Sequence, residues 1–327
     1  MKEKRIVSGM RPTGKLHLGH LHGVLLNWKE LQSRYRCFFF VADWHALTSE
    51  YSHPEIIQKS TDGIVMDWIS TGLDPEKATL FIQSAVKEHA ELYLILSMIT
   101  PLPWLERNPS YKDQIRELKQ KDLRTYGFLG YPVLQAADIL MYKANGVPVG
   151  EDQAPHVELT REIARRFNHF YGKVFPVPDT LLAPTSKLLG IDRRKMSKSY
   201  DNSVYLTDTN EEIRRKVSQM ITDPQRARKT DPGNPEICNV FSFHEMYTDP
   251  DTVEGIKKDC LAAKIGCVDC KKMMAANLQK ALEPVREKRR ALESDPDRVK
   301  DIIIQGNRKA RDIAKQTMAE VRDAAGL

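Results

Sequence analysis

Through its first 170 residues the chain alternates short apolar or β-branched runs with segments of helical periodicity, and this alternation restricts the fold more than any other feature. Residues 5–10 and 37–43 read as strands. Between them Leu21, Val24, Leu25, Trp28 and Leu31 recur at helical spacing, so the chain opens as β-loop-α-β. An amphipathic helix over 54–70, a strand over 79–83, a helix near 88–99 and a strand-helix pair around 147–167 continue the pattern. Strands separated by helices pair in parallel through crossovers, which buries both faces of the sheet. The expectation is an α/β, Rossmann-like domain with a parallel sheet. A proline-containing stretch at 101–109 and the charged 111–124 read as an insertion packed on its outside.

Beyond residue 185 the strand pattern fades, and helices are expected over 211–221 and 271–292. A last helix follows, in which Ala310, Ile313, Ala314, Thr317, Met318 and Val321 trace one face. With 327 residues and about 150 per domain, two domains are expected. The division is a catalytic domain over 1–187, with the insertion near 101–127, and a smaller, mostly helical domain over 188–327. Of the formal net charge of +6, residues 271–327 carry +5, so the helical end is the basic one and favours a polyanionic partner. No uncharged apolar stretch approaches the roughly 20 residues of a membrane helix. The start lacks a secretory apolar region, so a cytoplasmic protein is expected.

Two segments carry chemistry. Residues 8–20, SGMRPTGKLHLGH, connect the first strand to the first helix, where Gly9, Gly14 and Gly19 permit close backbone approach and the helix mouth suits a phosphate. His17 and His20 face the same space. Alone, two histidines three apart are a weak signal, equally compatible with surface or metal-binding residues. The second segment is Lys195 to Ser199, KMSKS, after the basic pair Arg193 and Arg194. Two lysines on a loop can clamp phosphate oxygens as charge develops on leaving pyrophosphate.

Together, HLGH at 17–20 and KMSKS at 195–199 resemble the paired signatures of the class I aminoacyl-tRNA synthetases. The resemblance implies activation of an amino acid by ATP with magnesium, then transfer to the 3′ end of a tRNA. It makes His17, His20, Lys195 and Lys198 the catalytic residues. ATP would be bound by Arg11, Pro12, Thr13, Gly19, His20, Gly150, Glu151, Asp152, Leu188, Lys195, Met196, Ser197, Lys198 and Ser199. The segments YPVLQAADILMY at 131–142, VPVGEDQ at 147–153, HVELTREIARRFN at 156–168 and ADWHALT at 42–48 are similar to the tryptophanyl branch. That similarity implies tRNA(Trp) and L-tryptophan as substrates and a homodimer, with no role for DNA or a membrane. Val7, His45, Tyr131, Gln135, Asp138 and Gln153 would then line the tryptophan pocket, Asp138 accepting the indole N–H. The tyrosyl branch is the nearest rival.

Cys37 stands alone in a strand and reads as a core residue. Cys238, Cys260, Cys267 and Cys270 fall together, separated by 21, 6 and 2 residues, and in a reducing compartment suggest metal before disulfide. Four thiolates suit zinc or an iron-sulfur cluster. The spacing resembles a subgroup of tryptophanyl enzymes with a [4Fe-4S] cluster, which the resemblance favours, with zinc as the alternative. A reading of another class is a non-catalytic RNA-binding or iron-sulfur sensor protein.

Overall fold

The structure is a computed structural model that describes residues 4–108, 122–182 and 188–327. The central part of the expected insertion, 109–121, lies outside the described residues. The chain divides into two compact units, which differ from the expected linear halves.

The first unit comprises Met1–Gly14, Leu25–Thr185 and Leu292–Leu327. Among the described residues its sheet has five parallel strands: β1 (Arg5–Met10), β2 (Arg36–Val41), β3 (Ala78–Ile82), β4 (Gly146–Val149) and β5 (Asp179–Leu182). They run in the order β3-β2-β1-β4-β5. Helices cover both faces, so β2 is buried without interruption from Cys37 to Val41. The strand order reverses between β1 and β4, and their C-terminal ends release residues 11–14 and 150–153 side by side into the crevice where such sheets bind ligands.

The Pro296–Ala325 helix also belongs to this unit, which corrects the expectation that it forms part of a separate end domain. Its apolar face was legible, and Ala310, Ile313, Ala314, Met318 and Val321 sit in the same core cluster as Phe38, Phe81 and Leu140. A Cβ on Gly306 would lie 1.7 Å from the Leu80 carbonyl oxygen, so the helix touches β3 backbone to backbone. One residue on, Asn307 accepts a hydrogen bond from the Ile82 N–H at 2.8 Å, satisfying a donor on a strand that forms the sheet edge among the described residues. Arg322 grips Glu91 with two bonds of 2.6 and 2.7 Å, and Arg311 reaches Glu88 at 3.0 Å.

The second unit comprises Lys15–Val24 and Ser186–Ala291. It contains the helices Asn210–Gln219, Asn239–Tyr247 and Pro250–Leu261, and most of Cys267–Glu293. The short N-terminal segment is stitched in by backbone bonds: Leu18 donates to the Val204 carbonyl at 2.9 Å and Leu206 to the Leu16 carbonyl at 3.0 Å. The two units are therefore not consecutive in sequence. Residues 15–24 join the later unit and 292–327 return to the earlier one.

Candidate active site

Both signature motifs fall in the second unit. His17 caps the Leu18–His20 turn, its Nδ1 accepting the Gly19 N–H at 3.1 Å, while His20 Nδ1 accepts the His17 N–H at 3.1 Å. With both Nδ1 atoms acting as acceptors, each neutral ring carries its proton on Nε2. Burial, reinforced by the Lys198 charge, pushes His17 down to about 4. Burial, then His17 and Lys198, holds His20 well below the ordinary histidine range. The pair is therefore uncharged at neutral pH and offers N–H donors, not cations. A π-helical turn over Leu21–Leu25 follows, in which His22 bonds the Tyr247 hydroxyl at 2.6 Å.

In the KMSKS segment Met196 is buried and Lys195 exposed. An antiparallel bridge joins Leu189 to Lys195, and the Gly190 N–H donates to the Arg194 carbonyl at 2.7 Å, which folds residues 189–195 into a tight loop. Lys198 starts a short turn ending at Tyr200 and lies near enough to both histidines to depress them. A protonated lysine beside two neutral imidazole donors can hold phosphate oxygens without needing a protein nucleophile.

In the first unit, Tyr131, Gln135, Asp138 and Tyr142 fall at helical spacing on the largely apolar Tyr126–Met141 helix and its C-cap. Asp138 is fully buried, yet its oxygens are saturated: Gln83 Nε2 reaches both at 2.8 Å, His89 Nδ1 reaches Oδ1 at 2.6 Å, and His45 Nε2 reaches Oδ2 at 2.8 Å. Burial alone would raise this carboxyl; the bonds from His45 and His89 outweigh it and hold it below its usual value. Beside it, Asn108 Nδ2 donates to His156 Nδ1 at 2.9 Å, leaving His156 Nε2–H for the Tyr131 hydroxyl at 2.9 Å. Burial lowers His156 to about 4, so this histidine too is neutral.

The four later cysteines converge within the second unit. Burial, then the charges of Cys238, Cys260 and Cys267, raises the Cys270 thiol to about 12. Arg226 places one guanidinium nitrogen 4.0 Å from Cys260 Sγ and 3.8 Å from Cys267 Sγ, and His244 Nε2 lies 3.4 Å from Cys270 Sγ. Cys267 begins one helix and Cys238 caps another, so two positive helix ends meet the sulfurs. A donor set of four soft thiols ringed by a guanidinium and helix N-termini fits an anionic metal-thiolate group. Among the described residues, no three His, Cys, Asp or Glu side chains stand close enough to hold one metal ion.

The model of a family described as class I tRNA synthetases (W and Y) matches residues 1–283. The chain belongs to that family. It is a class I aminoacyl-tRNA synthetase. It is 52% identical to the tryptophan–tRNA ligase of Thermotoga maritima over 99% of both chains. It is 47% identical to that of Aquifex aeolicus, covering 99% of this chain and all of the relative. Its structure is similar to tryptophanyl-tRNA synthetase from Campylobacter jejuni complexed with ADP and tryptophan, at a TM-score of 0.92 and 33% identity, covering 99% of this chain and all of that one.

For this synthetase the structure brings His17, Gly19, His20, Lys195, Met196, Ser197 and Lys198 into one unit, with Leu188 buried beside them in sequence. Arg11, Pro12, Thr13, Gly150, Glu151 and Asp152 belong to the other, on the loops that leave β1 and β4. His45, Tyr131, Gln135, Asp138, Gln153 and Val7 share that unit, Val7 fully buried within β1. Gln83, His89 and His156, which orient the predicted pocket residues, were missed. A histidine at the start of an otherwise apolar helix, as at His89, is the signal that could have found it.

Proposed function

We propose that the chain is a tryptophan–tRNA ligase, forming tryptophanyl-adenylate from L-tryptophan and ATP with magnesium and passing the aminoacyl group to tRNA(Trp). The observation that carries the chemistry is the folding of HLGH and KMSKS, some 175 residues apart, into one unit in which Lys198 acts on both histidines. The tryptophan carboxylate attacks the α-phosphate, the α–β bond breaks and pyrophosphate departs. Lys195 and Lys198 take up its developing charge, and the Nε2–H groups of His17 and His20 donate to phosphate oxygens. Gly150, Glu151 and Asp152 meet the ribose. Asp138 receives the indole N–H. His45, the least buried of its three donor partners, is the one the indole replaces. Tyrosine lacks an indole nitrogen to offer there.

The four cysteines support a [4Fe-4S] cluster held by Cys238, Cys260, Cys267 and Cys270. Bound there, it supplies a structural tie between the Cys238 turn and the Cys267–Glu293 helix. The basic helix residues Lys271, Lys272, Lys280 and Lys288 suit tRNA phosphates. Leu94 and Met98, one turn apart and exposed, with exposed Leu102 and Tyr126, support a homodimer. Among the described residues no helix is long and apolar enough to cross a membrane. Tryptophan-dependent exchange of labelled pyrophosphate into ATP tests the reading. Exchange driven by tyrosine instead, or by no amino acid, would overturn it.

A further inference from the structure

Lysines on a loop stabilise a departing pyrophosphate only if the loop holds one shape, and here a single buried side chain outside the motif sets that shape. Asn202 is 1% exposed. Its Nδ2 donates to Asp192 Oδ1 at 2.7 Å and to the Lys195 carbonyl at 3.1 Å, while its Oδ1 accepts the Ser197 N–H at 2.8 Å. Its own carbonyl accepts the Ile191 N–H at 3.0 Å. Four bonds thus bind residues 191–197 to one asparagine, two of them on the residues flanking Met196.

The fit is close on the other side as well. A Cβ on Gly190 would come within 2.3 Å of the Asn202 amide, so only glycine lets the loop fold over it. The Gly190 carbonyl is taken in turn by Nδ2 of Asn239, itself 2% exposed, at 2.8 Å. We infer that Asn202 is a positioning residue of amino-acid activation, acting through Lys195, with Asn239 anchoring the loop's base. The inference rests on the reading of that lysine given above. An amide suits the post because it donates and accepts at once. Aspartate would keep the acceptor for Ser197 but lose both donations and set a second carboxylate against Asp192. Alanine would leave the Ser197 N–H and the Lys195 carbonyl without this partner in a buried setting.

The test is tryptophan-dependent pyrophosphate exchange by the full chain. Asn202→Ala should lower kcat about 10- to 100-fold with the KM for tryptophan within about twofold of the parent. Asn202→Asp, which retains one of the three side-chain bonds, should be slowed at least as much with the same KM. A residue that acts through Lys195 loses its effect once that lysine is gone, so Lys195→Ala with Asn202→Ala should be no more than about threefold slower than Lys195→Ala alone. Exchange by both Asn202 variants within threefold of the parent would overturn the inference, as would a double variant showing the full product of the two losses. If the unaltered protein shows no tryptophan-dependent exchange, the functional reading fails first. Amide hydrogen exchange across 190–202 then decides the loop-shaping role. Asn202→Ala should speed it at least about tenfold, and unchanged rates would overturn it.

Discussion

His89 Nδ1 lies 2.6 Å from Asp138 Oδ1, and both side chains are buried. On its other side His89 Nε2 meets the Tyr142 hydroxyl at 2.7 Å, so one imidazole spans a tyrosine and the carboxylate assigned to tryptophan recognition. His89→Leu should leave both groups short of a partner and destabilise the protein by about 2–4 kcal/mol. The tryptophan KM should rise about tenfold as Asp138 loses its orientation. Denaturant unfolding and exchange kinetics check both, and a variant as stable as its parent would refute the bridging role.

Lys195→Ala should slow tryptophan activation about 100- to 1000-fold, or about 3–4 kcal/mol of transition-state stabilisation, with a smaller change in tryptophan affinity. Single-turnover adenylate formation separates the two quantities. A rate within threefold of the parent would remove Lys195 from the site.

Acid should weaken this protein before its carboxylates are touched. His17 and His156 are held near 4 and His20 well below its ordinary value, so the folded chain resists protons that the unfolded chain accepts from about pH 6.5 downward. Where the unfolded state binds more protons, stability rises with pH, so it should fall as pH drops from 6.5 toward 4. Asp138 has a depressed value and contributes only above the unfolded carboxyl range, so its share persists until the pH falls below about 4. The melting temperature should drop between pH 7 and pH 5, and His17→Gln should reduce that drop. Equal melting temperatures at the two pH values would contradict the neutral-histidine assignment.

Anaerobically purified protein should be brown and contain about four iron and four sulfide per chain. Cys267→Ser should bleach it and lower the thermal stability of the second unit. Four thiols that alkylate freely in the anaerobically purified native protein would remove the cluster from the account.

Gly306→Ala drives a methyl group against the Leu80 carbonyl and should lift the Pro296–Ala325 helix off β3. The expected loss is about 3 kcal/mol or more, since backbone cannot yield as a side chain does. Limited proteolysis within 292–327 should accelerate in parallel; unchanged cleavage and stability would show that the contact relaxes.

The sheet was legible because strand periodicity and burial coincide: residues 5–10 form β1, and β2 and β3 lie within one or two residues of expectation. β5 escaped notice because Asp179–Leu182 is four residues long, half-exposed and begins with an aspartate. The signature motifs could be read from local sequence, but what organises them could not. Asn202, Gln83 and His89 are single polar residues whose partners stand 5 to 55 positions away, and no spacing rule connects such pairs. The division into units was missed for a related reason. Residues 15–24 are held by backbone bonds to 204–206, and a bond between distant peptide groups leaves no mark on side-chain pattern.

The Ile82 N–H finds its acceptor on Asn307, 225 residues later in the chain. At about 5–20 residues per second, a ribosome emits β3 roughly 10 to 45 seconds before the helix that closes its edge. During that interval the nascent first unit presents an open strand, with the apolar seat of residues 310–321 bare beside it. The final helix therefore acts as a timed seal: synthesis stalled anywhere between the two residues leaves a sheet able to pair with its neighbours on the same message.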